Sequence, residues 1–95
     1  MAGIRPTAWG TLTARNITSA TVIKPAAGVP IIAQVIVAGT TTGAVYDAAA
    51  TTGDVAANQV AVIPETVGAY RIETPCQTGI LIVPGTGMTV AVSYD

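Results

Sequence analysis

The chain has 95 residues, of which 51% are hydrophobic and only 9% charged, with four Lys or Arg, five Asp or Glu and no His. This balance excludes a disordered chain, which is poor in apolar residues, and a strong nucleic-acid binder, which needs clustered positive charge. The single cysteine, Cys76, excludes an intramolecular disulfide, and the lack of His excludes an ordinary structural zinc site.

The length fits one domain, and the type of apolar residue indicates its class. The chain contains 12 Val, 10 Ile and 15 Thr, but only two Leu and no Phe. β-Branched residues are restricted at χ1 and suit a pleated strand better than a helix. The sequence therefore predicts an all-β protein, an antiparallel β-sandwich or jelly-roll-like domain of about eight short strands. The predicted boundaries are 1–12 for an N-terminal arm or first strand and 13–95 for a single sandwich domain.

Four strands are predicted in the first half of the chain. The first lies near 8–13 and the second near 17–24, where Pro25 ends it. The third, 30–38, is apolar on both faces, and a short fourth strand, 44–47, follows the turn 39–43. In the third strand the two faces are Ile31, Ala33, Val35 and Val37, and Ile32, Gln34 and Ile36. Such a strand is either central and covered on both sides or covered by another subunit.

The second half begins with the longest predicted surface loop, 48–58, which has room for one helical turn. Four strands are predicted after it, at 59–63, 69–73, 79–83 and 88–94, and 84–87 is predicted to be a hairpin turn. Alternation places Tyr70 and Ile72 on one face of the strand 69–73, and in the strand 88–94 it predicts that Val90, Val92 and Tyr94 face inward. Strands spaced in this way are typical of a sandwich, a jelly roll or a small barrel.

Few side chains in this sequence could carry out catalysis. The absence of His excludes Ser-His-Asp and Cys-His sites, and nothing in the sequence would lower the pKa of Cys76, which is predicted to be a free structural thiol. A glycosidase needs only two carboxylates, but the few aromatic residues do not provide a sugar-binding cleft. The available carboxylates are Asp47, Asp54, Glu65 and Glu73. Asp54 lacks the acidic spacing of a calcium loop. We therefore predict that the protein is not an enzyme and has no metal site and no cofactor.

The low charge instead predicts contact surfaces between subunits. Nine charges cannot cover every exposed strand, so Thr and Ala must cover the rest, and such surfaces are easily desolvated at an oligomer interface. Arg5, Arg15 and Lys24 lie in the first quarter, whereas every acidic residue lies at or after Asp47. This division fits either a contact between neighbouring subunits or scattered solvated charges. The candidate interface residues are Arg5, Trp9, Arg15, Ile32 and Ile36.

Nothing in the sequence addresses the chain to a membrane. The N-terminus has no apolar stretch long enough for a signal-peptide core, and the most apolar run, 29–38, is about half the length of a membrane-spanning helix. We therefore expect a soluble protein made in a cytoplasm, with no membrane partner and no nucleic-acid partner.

Several segments together resemble small all-β virion proteins of tailed bacteriophages. The segments are 18–28, 31–37, 43–47, 60–64, 79–83 and 89–94. The resemblance covers about residues 13–95 and rests on the style of strands and turns. It implies a capsid decoration or cement protein in the virion, assembled in the bacterial host cytoplasm. Such a protein is often a homodimer or homotrimer and bridges subunits of the major capsid protein. The alternative is a tail- or fibre-associated module that recognises a host surface glycan, with Trp9 stacking on sugar rather than covering the core.

Overall fold

The computed structural model describes residues 12–95, which form an antiparallel β-sandwich of eight strands. The strands are β1 (Leu12–Ile17), β2 (Thr21–Lys24), β3 (Pro30–Val37), β4 (Gly43–Asp47), β5 (Gln59–Ile63), β6 (Gly68–Arg71), β7 (Ile80–Val83) and β8 (Thr89–Tyr94). Two short 3₁₀ turns, Thr51–Gly53 and Ala56–Asn58, lie in the loop between β4 and β5. The predicted all-β sandwich of about eight strands is confirmed.

The strands form two four-stranded sheets with nested pairing. Sheet A has the order β1-β8-β3-β6 and sheet B the order β2-β7-β4-β5. Within residues 12–95, β4 and β5 are the only consecutive strands that pair, and the pairs β3–β6, β2–β7 and β1–β8 enclose them. This order is that of a jelly roll, a long hairpin rolled up so that β3 also pairs with β8 and β4 with β7.

The short connections between the sheets decide which strand edges lie together. β1 is joined to β2 by residues 18–20, and β5 is joined to β6 by residues 64–67. Each connection leads from one sheet to the other, so the linked strands lie over each other in the sandwich. The edge strands β1 and β2 therefore line one side of the molecule, and the edge strands β5 and β6 line the opposite side.

The first two strands differ from their predicted boundaries. Most of the predicted strand 8–13 lies outside the described residues. In the structure β1 continues to Ile17, through residues 14–16, which the prediction left between two strands. The predicted second strand, 17–24, shortens to Thr21–Lys24. A β-bulge explains the longer β1, because the register with β8 shifts between Ala14 and Ile17. Asn16 takes up this shift with φ 57°, a left-handed conformation that Asn adopts more readily than most residues.

Two further predictions are wrong in detail. β6 ends at Arg71 rather than at residue 73, because Glu73 has φ 54°, which is incompatible with a strand. The loop 84–88 is not a hairpin turn, because β7 and β8 belong to different sheets. It crosses the end of the sandwich, where the Thr86 N–H donates to Thr41 Oγ1 at 2.9 Å and the Thr40 N–H donates to the Thr86 carbonyl at 2.9 Å.

The core lies between the two sheets and is built mainly from β-branched side chains. Its buried members are Ile17, Ala33, Val35, Val45, Ile63, Cys76, Ile80, Ile82, Met88, Val90 and Val92. Tyr70, Ile72 and Tyr94 pack against this cluster. The shared face of Tyr70 and Ile72 and the inward position of Tyr94 are as predicted. Full burial of one Val or Ile side chain contributes about 1.5–3 kcal/mol, so these residues supply the main stabilisation of the fold.

β3 has one face in this core and one face outside it. Ile31, Ala33 and Val35 are buried, whereas Ile36 is exposed. Val37, predicted to share the face of Ile31, Ala33 and Val35, is instead 50% exposed. The register between β3 and β8 shifts between Val35 and Val37, and this irregularity breaks the alternation of inward and outward side chains.

Candidate subunit interface

The outward side of sheet A spans all four strands and has one charged side chain on each edge strand, Arg15 and Arg71, and we call this surface the outer face. Pairing across the sheet aligns Thr13, Ser93, Ile32 and Arg71 in one row. The next row contains Ala91, Gln34 and Ala69. Small side chains in the middle of a sheet leave a flat surface that loses little side-chain entropy when a partner covers it.

The most apolar part of the outer face is a shallow open groove between β3 and β6. We call it the β3–β6 groove, and its lining is Gln34, Val35, Ile36, Val67, Gly68 and Ala69. Val35 pairs with Gly68, so the next positions in this register, Ile36 and Val67, lie beside each other. Their side chains are 55% and 58% exposed. Two neighbouring apolar side chains with this exposure offer favourable free energy to any partner that buries them.

Hydrogen bonds to the two residues before Val67 fix its position in the β5–β6 loop. The Tyr70 hydroxyl donates to the Thr66 carbonyl at 2.6 Å, and the Gly39 N–H donates to the Glu65 carbonyl at 3.1 Å. The first bond anchors the loop to β6 and the second anchors it to the β3–β4 connection. Val67 is therefore presented to solvent by an anchored backbone, and a partner that binds it pays little ordering entropy.

The structure brings together three of the five predicted interface residues. Ile32, Ile36 and Arg15 all lie on the outer face: Ile32 in the row of Ser93, Ile36 in the β3–β6 groove, and Arg15 exposed on β1. Arg15 shares the face of Thr13, two residues before it, because Ala14 between them packs against the core. The remaining two, Arg5 and Trp9, lie outside the described residues.

Val67 and Ala69 were missed by the sequence-based reasoning. The predicted strand began at residue 69, which left Val67 in a turn after Pro64. A signal was present, because Val67, Ala69 and Arg71 alternate with Gly68 and Tyr70. Extending the period-2 pattern by one step would have placed Val67 on the outward side of β6.

Asp47, one of the four carboxylates weighed as candidates for catalysis, has a structural role. Its Oδ1 accepts hydrogen bonds from the N–H groups of Thr78 and Gly79 at 2.7 and 3.2 Å, and its Oδ2 accepts one from the Gln77 N–H at 3.0 Å. These bonds favour the charged form and hold the pKa of Asp47 below its ordinary value, the bonds from Gln77 and Thr78 contributing most. Asp47 therefore fastens the β6–β7 connection to the end of β4.

Cys76 lies in the same connection and is buried in the core. Its N–H donates to the Gly28 carbonyl at 2.7 Å, and the Gly28 N–H donates to the Cys76 carbonyl at 3.0 Å. Burial, together with the smaller effect of the nearby negative charge of Asp47, raises the pKa of the Cys76 thiol to about 11. The thiolate is the reactive form, so this environment suppresses nucleophilic chemistry.

We expect Cys76 to react very slowly with a disulfide reagent such as Ellman's reagent in the folded protein. At pH 8 a thiol with a pKa of about 11 has a thiolate fraction more than about 100-fold below that of an unperturbed cysteine. Absorbance kinetics in buffer and in guanidinium chloride measure the difference directly. Equal rates in the two solutions would contradict the burial of the thiol.

Residues 12–95 contain no group of three or more His, Cys, Asp or Glu side chains placed to hold a metal ion. In the same part of the chain no helix has the length and apolarity needed to cross a membrane. No protein-family model, no curated protein and no solved structure matches the chain.

Proposed function

We propose that the protein is a structural subunit of a bacteriophage virion, a capsid decoration or cement protein that stabilises the head by bridging subunits of the major capsid protein. The observation that carries the proposal is the outer face, whose central strands β8 and β3 carry no charged side chain and which contains the apolar β3–β6 groove. The jelly-roll order of the strands adds support by analogy, because viral capsid domains often have this fold.

In this proposal the protein acts by adding interface free energy rather than by chemistry. A capsid shell repeats the same contact many times, so modest contacts at each copy add up to strong attachment. The sandwich suits this role because its strands are held by pairing on both sheets and change little on docking. The outer face provides the contact between copies, and residues 2–9 provide the contact with the capsid.

The direct test of the proposal is to locate the protein in purified phage particles. Mass spectrometry would give its copy number relative to the major capsid protein, and electron cryomicroscopy would place it on the particle. We expect many copies on the outside of the head. Absence from particles, or a few copies confined to the tail, would contradict the proposal.

Deleting residues 2–9 is expected to reduce occupancy on particles by about tenfold or more, which corresponds to about 1.4 kcal/mol of attachment free energy. The described sandwich, which begins with β1 at Leu12, should remain folded by circular dichroism. The matched control replaces residues 2–9 with a Gly-Ser sequence of equal length, which keeps the length and removes the side chains. Full occupancy of the deletion variant would remove this segment from the attachment mechanism.

The alternative function, recognition of a host surface glycan, is supported by the same fold, because lectin domains also use jelly rolls. It requires an aromatic side chain to stack on sugar, and Trp9 is the only tryptophan. Fluorescence titration with host polysaccharide separates the two functions. Saturable quenching of Trp9, together with no binding to capsids, would favour the glycan-binding module.

A further inference from the structure

The segment between β6 and β7 is held more by hydrogen bonds than by burial. We call residues 73–79 the strap, which follows β6 in sheet A, crosses one end of the sandwich and leads into β7 in sheet B. Of its side chains only Cys76 is buried, whereas Glu73, Pro75, Gln77 and Thr78 are exposed. Buried apolar area supplies most of the free energy of folding, so a segment with one small side chain in the core is weakly held by burial.

Asp47 accepts three of the hydrogen bonds that hold the strap. Its carboxylate receives the N–H groups of residues 77–79 at 2.7 to 3.2 Å. Cys76 adds the two bonds that its backbone exchanges with Gly28, at 2.7 and 3.0 Å. Three hydrogen bonds that share one acceptor are lost together when the acceptor is removed, so closure of the strap depends strongly on this one side chain.

The strap begins at a residue with an unfavourable backbone conformation. Glu73 has φ 54°, in the left-handed region that residues other than Gly, Asn and Asp seldom adopt. Its N–H donates to the Pro30 carbonyl at 2.8 Å, and this bond helps to hold the conformation. A residue held in such a conformation by its neighbours relaxes when they release it, which favours opening of the segment that follows.

The strand pairs on either side of the strap do not include its residues. β6 pairs with β3 through residues 68–71, and β7 pairs with β2 and β4 through residues 80–83. Release of the strap breaks the isolated bridge between Gly28 and Cys76 but none of these strand pairs. The hydrogen bonding of the two sheets is therefore complete without the strap.

We propose that the strap opens as a unit while the two sheets stay folded, and that the Asp47 carboxylate holds it closed. Opening exposes the Cys76 thiol to solvent, and closing buries it in the core. Such local opening needs less free energy than global unfolding, because it uncovers far less apolar surface. The strap is a property of the sandwich itself and does not depend on where the protein acts.

The test follows the reaction of the purified full chain with Ellman's reagent at pH 8 without denaturant. Cys76 is the only cysteine, so the slow rate in the folded protein reports how often this thiol is exposed. Asp47→Ala should raise the rate about 30-fold, because three hydrogen bonds of the closed strap are lost. Ile82→Ala weakens the core in β7 but not the strap, and should change the rate by less than about threefold.

The two variants separate local opening from global unfolding. If Cys76 reacted only after the sheets unfold, Ile82→Ala would raise the rate several hundredfold, more than Asp47→Ala does. This result would overturn the inference, as would a rate for Asp47→Ala equal to that of the wild type. If circular dichroism shows that Ile82→Ala is not folded, Ile82→Val applies the same criterion, with about a fivefold increase under global unfolding and no change under local opening.

The matched control is Asp54→Ala, which makes the same substitution at an exposed position of the β4–β5 loop and should leave the rate unchanged. Low concentrations of guanidinium chloride should also leave the wild-type rate nearly constant, because local opening exposes little surface. A rate that increases with guanidinium chloride as steeply as the global unfolding constant, from the lowest concentration, would overturn the inference.

Discussion

Replacement of Ile82 by Ala is expected to lower the free energy of unfolding by about 4 kcal/mol. Ile82 is completely buried in β7, pairs with Val45 on one side and Thr21 on the other, and belongs to the core cluster. Removing three carbon atoms from such a site costs their transfer free energy and leaves a cavity that a sheet can only partly close. The free energy of unfolding of a domain is typically about 5–15 kcal/mol, so this loss is a large fraction of the total stability.

Urea unfolding followed by circular dichroism measures this change, and the thermal midpoint should fall by about 15 °C or more. Ile82→Val removes only one methylene and should lower the free energy of unfolding by about 1 kcal/mol, so it serves as an intermediate between the wild type and Ile82→Ala. Val62→Ala is the matched exposed control, since Val62 is an outward residue of the same sheet. Equal destabilisation by Ile82→Ala and Val62→Ala would contradict the position of the core.

Asp47→Ala is expected to destabilise the fold by about 2 kcal/mol. The substitution removes the acceptor of three backbone N–H groups, those of Gln77, Thr78 and Gly79. Hydrogen bonds to a charged group contribute about 1.5–3 kcal/mol when buried, and water replaces part of this loss because Asp47 is partly exposed. Asp47→Asn should cost less, because its amide oxygen still accepts two bonds while its NH₂ group faces the Gln77 N–H.

The same carboxylate predicts how stability depends on pH. The pKa of Asp47 is lower in the folded protein than its ordinary value of 3.8, so the folded state favours the charged form. Its contribution to stability is therefore complete above about pH 4 and is lost as the pH falls through the folded pKa. Asp47→Asn should flatten the decline of stability with acid in this window.

Urea unfolding at pH 7 and at two values below about pH 4 tests both statements about Asp47. Asp54→Asn is the matched control, because Asp54 is exposed in the β4–β5 loop and should change stability by less than about 0.5 kcal/mol. If Asp47→Ala were as stable as the wild type, the β6–β7 connection would not depend on this carboxylate.

The sequence predicted the fold class because composition and period-2 alternation depend on local chemistry. The bounds of β5 matched the structure residue for residue, and the inward positions of Val90 and Val92 were predicted from alternation alone. Errors arose where the backbone departs from regular geometry. Asn16 and Glu73 both have positive φ, and the residue type alone does not indicate this backbone conformation in a single sequence.

Strand pairing could not be predicted from the same patterns. A short Gly-rich loop such as 84–88 is typical of a hairpin, yet it joins two sheets. The choice between these outcomes depends on which distant strand offers a better apolar partner, and β8 pairs with β1 and β3 instead of β7. Such a choice is a property of the whole core rather than of the loop.

For the candidate interface, the sequence identified the strand but not the surface. The two-sided apolar pattern of β3 led to Ile32 and Ile36, and the structure places both on the outer face. The sequence pattern did not reveal Val67, because the groove exists only where β6 pairs with β3. A surface made by two strands distant in sequence becomes visible only when their register is known.

The nested pairing of the strands also constrains how the protein is made. β8 lies between β1 and β3 in sheet A, so neither strand has this neighbour until residues 89–94 have left the ribosome. During translation the emerging chain can close β4 on β5 and β3 on β6, but sheet A cannot be completed until β8 is available, and its apolar strands remain partly uncovered. Because the chain carries only nine charges, little charge repulsion opposes association of these uncovered strands until sheet A closes.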